Sequence, residues 1–218
     1  MWLDARKYQG YAQVQDIVST AVEVVKKINL FNEAKKFYNI GGYYPEVIDD
    51  CKDKVNWHGA ILYNVHTSTE NRLEKIEVKN ELSAYIPLFD QITQKIKKLP
   101  GISEGSINFY APHSVIPRHV DNQWFLHNDN MDNYRRCVSI ICGLDMPSND
   151  PELCSLTVGN ETKGWSTGEF IGFDGLVPHW GFNKTDKFRV TMLIETFADA
   201  WDIDQSTLAE VHNDFKLY

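Results

Sequence analysis

Apolar residues recur at three- and four-residue steps through Val14, Ile17, Val18, Ala21, Val25 and Ile28. That spacing places them on one face of a helix. Phe89, Ile92, Ile96 and Leu99 repeat the pattern between Pro87 and Pro100-Gly101, which are start and stop signals for a second helix. The stretch between them, about 31–86, is mixed. It predicts a short helix near Glu33–Tyr38, turns near 41–45 and a strand at Gly59–Val65. From Ser106 onward the period falls to two. Strands are predicted at Ser106–Ala111, Cys137–Asp145, Cys154–Val158, Glu169–Phe173 and Phe188–Phe197, with turn-rich breaks at Pro147–Pro151 and Gly164–Gly168. Helices first and short strands afterwards predict an α+β fold, in which N-terminal helices pack on one face of an eight-stranded jelly roll.

The last predicted strand separates cleanly by face. Phe188, Val190, Met192 and Ile194 share one side; Arg189, Thr191, Leu193 and Glu195 share the other. With the apolar side against the helices, Arg189 points into the barrel, where a bound acid would sit. A solvent-exposed strand arginine is the competing possibility at this point.

Bulk composition narrows the class. A chain of 218 residues at 43% hydrophobic is long enough for one domain with a good core. That domain divides into a mainly helical support region (1–100), a β-core (101–200) and a C-terminal tail (201–218). The formal net charge of −8 argues against nucleic acid or an anionic membrane as partner. Cys51, Cys137, Cys142 and Cys154 form no CxxC pair, so buried free thiols are expected rather than a zinc site or disulfide framework. No signal-peptide pattern and no apolar run near the roughly 20 residues of a membrane helix appears, which predicts a cytoplasmic location.

The chemistry concentrates in three histidine and carboxylate positions. His119 and Asp121 are two residues apart, so in an extended segment both point the same way while Val120 turns aside. His179 follows a strand-and-turn run, and Arg189 lies ten residues beyond it. Two imidazoles and one carboxylate in this order match the facial triad that holds a non-haem Fe(II) and leaves positions open. His58, His66, His113, His127 and His212 fit such a site less well. A lone HxD is a weak signal; HxD with the downstream His and Arg is much more specific.

The surrounding sequence resembles the aspartyl/asparaginyl β-hydroxylase family of Fe(II)/2-oxoglutarate oxygenases. Three stretches carry the match: LPGISEGSINFYAPHSVIPRHVD, NETKGWSTGEFIGFDGLVPHWGFN and KFRVTMLIETF, together spanning about 101–200. The resemblance implies one oxygenase domain over 1–218 with a double-stranded β-helix (cupin-like) core. It implies that His119 and His179 are iron ligands and that Arg189 pairs with the distal carboxylate of 2-oxoglutarate, which a guanidinium fork matches bidentately. Trp165 and Phe173 look like shared packing positions, and Asp174 like a turn or supporting residue beside the ligand.

Two departures stand out. The best-known members have Gly where this chain has Asp121. The carboxylate here completes a three-ligand set and argues against halogenation. Family members also place an Arg and a His on the strand after the first ligand to hold the co-substrate's near end. This chain instead has an insert, Asn122–Tyr134, followed by Arg135-Arg136-Cys137. Arg136 is a candidate for the arginine role, against a plain surface charge, and the histidine is missing. Asn108 is a further candidate co-substrate or substrate contact, with Tyr110, Arg118 and Trp124 as other polar selectors. Trp124, Phe125 and His127 of the insert fit either a lid or a mobile surface loop.

The expected function is therefore that of a dioxygenase using Fe(II), 2-oxoglutarate and O2. It would hydroxylate an unactivated C–H of an amino acid, peptide or other small molecule, releasing succinate and CO2. Desaturation or cyclisation with the same cofactors, and a non-catalytic cupin-like module binding a metal or small acid, are the alternatives. The sequence leaves the oligomeric state open.

Overall fold

Gly10 ends a short N-terminal turn, and the amphipathic stretch after it folds as α1 (Tyr11–Val25). Val14, Ile17, Val18, Ala21, Val24 and Val25 are buried on one face. The second periodic stretch folds as α2 (Ile86–Ile96), burying Phe89, Ile92 and Ile96, with Leu99 buried just past its end. At the solvent edge Lys95 Nζ donates to Asp16 Oδ2 at 2.7 Å and to Thr20 Oγ1 at 2.8 Å, tying the helices together. An exposed ion pair contributes about 0–1 kcal/mol. Each buried aliphatic side chain contributes about 1.5–3 kcal/mol, so the apolar faces decide how the helices sit. The computed structural model describes residues 1–27, 38–39, 57–64, 86–121 and 136–209.

The described strands are β1 (Trp2–Leu3), β2 (Tyr38–Asn39), β3 (Trp57–Asn64), β4 (Ile102–Tyr110), β5 (Ser114–His119), β6 (Cys137–Asp145), β7 (Cys154–Val158), β8 (Glu161–Lys163), β9 (Phe170–Phe173), β10 (His179–Asn183) and β11 (Arg189–Phe197). Among the described residues they form a seven-stranded sheet in the order β1-β9-β6-β11-β4-β3-β2 and a four-stranded sheet in the order β5-β10-β7-β8. Every pairing is antiparallel.

The large sheet is covered on both faces. Ile107, Phe109, Val138, Ile140, Cys142, Leu144, Val190, Met192 and Ile194 pack with α1 and α2 in the main core. On the other face Ile141 and Phe173 meet Leu156 and Val158 of the small sheet, with Trp165 between, in a second cluster. This is the α+β arrangement with a double-stranded β-helix core and helices on one face. The faces of β11 divide as its alternation predicts: Val190, Met192 and Ile194 lie toward the helices, while Arg189 and Thr191 are buried on the inner side.

The sequence pattern missed the small sheet. Of its four strands only β7 was expected. β5 carries Pro117, β8 has three residues, and β10 reads HWGFN with Gly181 at its centre. Short strands with Pro or Gly lack the alternation that marks β11. The short helix expected near Glu33–Tyr38 falls outside the described residues, except that Tyr38 itself is in strand β2. Ile28, Cys51 and the insert Asn122–Tyr134 also lie outside them. Cys137, Cys142 and Cys154 are buried and outside any disulfide, as expected.

Candidate metal centre

β5 and β10 pair so that His119 faces His179 directly across the ladder, with a register shift between His179 and Gly181. The two imidazole centroids are 4.2 Å apart. Asp121 follows two residues after the end of β5, and its backbone N–H donates to the Gly175 carbonyl at 2.9 Å. Its Oδ1 lies 3.3 Å from His179 Nε2 and 3.7 Å from His119 Nε2. One donor atom from each of the three residues lies within 4.8 Å of the others. Donors about 2.1 Å from a shared ion and at right angles sit about 3 Å apart, so the spacing fits one metal ion.

The tautomers fit as well. His119 Nδ1 lies 2.7 Å from the Pro117 carbonyl, and His179 Nδ1 lies 3.0 Å from the Val177 carbonyl. A carbonyl only accepts, so each Nδ1 carries the hydrogen and each neutral ring keeps a lone pair on Nε2, toward the centre. Ser139 Oγ donates to the outer Asp121 oxygen, Oδ2, at 3.1 Å. Such supporting contacts fix ring orientation and raise ligand basicity.

Burial, and then the neighbouring His179, push His119 down to about 4, so it is neutral near pH 7. Burial also disfavours charge on His179, but the closer Asp121 carboxylate outweighs it and the net shift is upward. For Asp121, burial favours the neutral acid, yet the two histidines and Ser139 hold it below the usual carboxylate range. Two imidazole nitrogens and a carboxylate are the donor set of a non-haem iron facial triad.

Gly175 has a steric role here. A Cβ at this position would stand 2.3 Å from Asp121 Oδ2. Gly175→Ala is therefore expected to displace the Asp121 carboxylate and weaken Fe(II) or Co(II) binding about tenfold or more, in the range typical of disturbed ligand support. Isothermal titration checks this; unchanged affinity would show that Asp121 is not a ligand.

Arg189 occupies a pocket of its own. It is 0% exposed. Its Nη1 donates to the Ser155 carbonyl at 2.7 Å and, more weakly, to that of Phe182 at 3.4 Å. The guanidinium lies 4.7 Å from the Trp165 ring centre and 5.0 Å from that of Tyr110. Among the described residues Nε and Nη2 have no oxygen or nitrogen hydrogen-bond partner; the Cys154 thiol also lies beside the guanidinium. Phe182 is three residues along β10 from His179, a strand distance of about 10 Å.

The other sequence candidates are dispersed. Asn108 is buried on the same inner face, opposite Thr191, and its Nδ2 donates to Ser106 Oγ at 3.3 Å. Arg136 is engaged by Asp174: its Nη2 donates to both carboxylate oxygens at 2.6 Å. Arg118 is exposed, 5.4 Å over the Trp180 ring. Phe173 meets the edge of His179, with ring centres 5.0 Å apart. Ser139 and Gly175 were not singled out by the sequence. Ser139 becomes readable only once β6 is paired with β11, where it lies opposite Glu195 on the inner face. Glu195 is held well above its usual range, first by burial and then by Asp121 and Glu104.

The fold is thus a jelly-roll barrel with a His-Asp-His cluster, able to hold a metal ion, at the end of its small sheet. The sequence profile of the aspartyl/asparaginyl β-hydroxylase family matches residues 17–198, and the chain belongs to that family. The ornithine lipid ester-linked acyl 2-hydroxylase of Rhizobium tropici is 24% identical over 100 residues, covering 46% of this chain and 31% of that protein. The match thus spans about a third of that relative's length. Among solved structures, a Pseudomonas putida prolyl-4-hydroxylase is similar at a TM-score of 0.42 and 18% identity, over 84% of this chain and 86% of that one. The cupin domain of an XRE-family transcriptional regulator from Enterobacter cloacae gives 0.32 and 9%, over 43% and 79%. Among the described residues no helix is long and apolar enough to cross a membrane.

Proposed function

We propose that the protein is an Fe(II)/2-oxoglutarate-dependent dioxygenase that hydroxylates an unactivated C–H of an amino acid, peptide or other small molecule. The observation that carries this reading is the buried guanidinium of Arg189, whose Nε and Nη2 have no oxygen or nitrogen partner among the described residues. A buried charge without a counter-ion is costly, and the fork matches a carboxylate. A dicarboxylate reaching from the triad to Arg189 would neutralise it.

His119, Asp121 and His179 would hold the iron from one side. Fe(II), with 2-oxoglutarate and O2, supplies the oxidising power to turn C–H into C–OH, with succinate and CO2 as co-products. The protein's part is orientation and exclusion of water. The carbonyls of Pro117 and Val177 hold both imidazoles in the Nδ1–H form. The two histidines, and to a lesser degree Ser139, hold Asp121 as a carboxylate. Trp165 and Tyr110 flank Arg189 and fix its plane. The Rhizobium relative's named reaction, 2-hydroxylation of an acyl chain, falls within the same chemistry.

Anaerobic addition of Fe(II) and 2-oxoglutarate is expected to give the visible metal-to-ligand charge-transfer band of a chelated keto acid. Succinate in place of 2-oxoglutarate should give none. Iron binding without the band would leave a metal site but remove the co-substrate from the reading.

A further inference from the structure

The Arg136–Asp174 pair sits against the 174–177 turn, which leads into His179 and touches Asp121 through a backbone hydrogen bond. Asp174 is 0% exposed and the Arg136 side chain 12%. The Asp174 carboxylate accepts from Arg136 Nη2 through both oxygens. Its Oδ1 also accepts from the Leu176 backbone N–H at 3.2 Å. The Asp174 backbone carbonyl accepts from Val177 N–H at 3.1 Å, closing a tight turn over 174–177. That turn presents two carbonyls to the centre: Gly175 O takes the Asp121 N–H, and Val177 O faces His179 Nδ1. The direction of His179 and the placement of Asp121 both follow from this turn.

The other side of the pair is covered by the C-terminal segment. Asp204 caps a short turn at Gln205–Thr207, after which Leu208 is buried in the main core. Ala209 then meets the pair through its backbone alone. Its N–H donates to Asp174 Oδ2 at 2.7 Å, and its carbonyl accepts from Arg136 Nη1. The peptide groups thus put a positive end on the carboxylate and a negative end on the guanidinium. This completes the pairing that a buried ion pair requires.

We propose that Asp174 is a positioning residue that couples docking of the 204–209 segment to metal affinity at His119, Asp121 and His179. The segment acts as a latch: seated, it holds the Arg136–Asp174 pair, and the pair holds the 174–177 turn in the shape the ligands need. The proposal rests on the metal reading given above, and it gives Arg136 a structural partner in place of a co-substrate contact.

The test is anaerobic titration of the full chain with Co(II), followed by visible d–d absorption. The wild type is compared with Asp174→Asn and Ala209→Pro. The first disturbs the pair. The second replaces the N–H at the latch by a proline ring carbon, which breaks the contact to Asp174, and extended residues such as Leu208 tolerate a following proline. The Co(II) dissociation constant should rise about 10- to 100-fold for Asp174→Asn and in the same direction, less steeply, for Ala209→Pro, with altered d–d intensity in both. Circular dichroism and melting identify any variant that fails to fold. If Asp174→Asn does, Ala209→Pro decides. Native-like folding with wild-type affinity and spectrum would overturn the coupling while leaving the metal site intact. A wild type that binds no Co(II) would overturn the metal reading and this inference with it.

Discussion

His179→Ala is expected to abolish succinate formation from 2-oxoglutarate, with a fall of at least about a hundredfold, the upper end of losses seen when mere supporting contacts are removed. His179 is the best supported of the three candidate ligands. It is buried to 3% exposure, packs on the edge of Phe173 and stands 3.3 Å from Asp121 Oδ1. Alanine would leave Asp121 with His119 alone, at 3.7 Å, and open a cavity beside it. Metal binding should fail with turnover, so Co(II) titration and succinate release are read together. Loss of turnover with intact metal affinity would assign His179 to another role, and full turnover would remove it from the ligand set.

Which parts of this site were legible in the sequence follows from the range of the signals. His119 and Asp121 are read from a two-residue spacing, which extended backbone converts directly into a shared direction. His179 and Arg189 are read from their separation along the chain and from the resemblance, and the face assignment of β11 adds an independent reason to place Arg189 inside. The large sheet was visible because β4, β6 and β11 are long or strongly apolar. The small sheet, which carries both histidines, was mostly invisible because its strands are short and broken by Pro117 and Gly181. The register that sets His119 opposite His179 is tertiary information. So is the union of Arg136 with Asp174, 38 residues apart in the chain: nothing local distinguishes Arg136 from a surface charge or from a co-substrate contact. Gly175 is the same kind of case, since its reason for being glycine is an atom of Asp121 rather than a turn.

Arg189→Met is expected to raise the 2-oxoglutarate concentration needed for half-maximal rate about 100-fold, equivalent to about 2.7 kcal/mol. Two charge-assisted hydrogen bonds of about 1.5–3 kcal/mol each would be lost with Nε and Nη2, the two nitrogens without an oxygen or nitrogen partner among the described residues. Methionine keeps much of the side-chain bulk between Trp165 and Tyr110, so the pocket does not collapse. Stability separates this role from a structural one. The free variant loses the hydrogen bonds to Ser155 and Phe182 but also the cost of a buried charge without a counter-ion, and the two effects oppose each other. Its melting temperature should therefore stay near that of the wild type. The contrast appears when ligand is added. The wild type should be stabilised by 2-oxoglutarate, by about 2.7 kcal/mol at a hundred times its dissociation constant. The variant should gain almost nothing at the same concentration. A large drop in the free variant's melting point with an unchanged 2-oxoglutarate requirement would make Arg189 a structural charge, held in place by the carbonyls of β7 and β10.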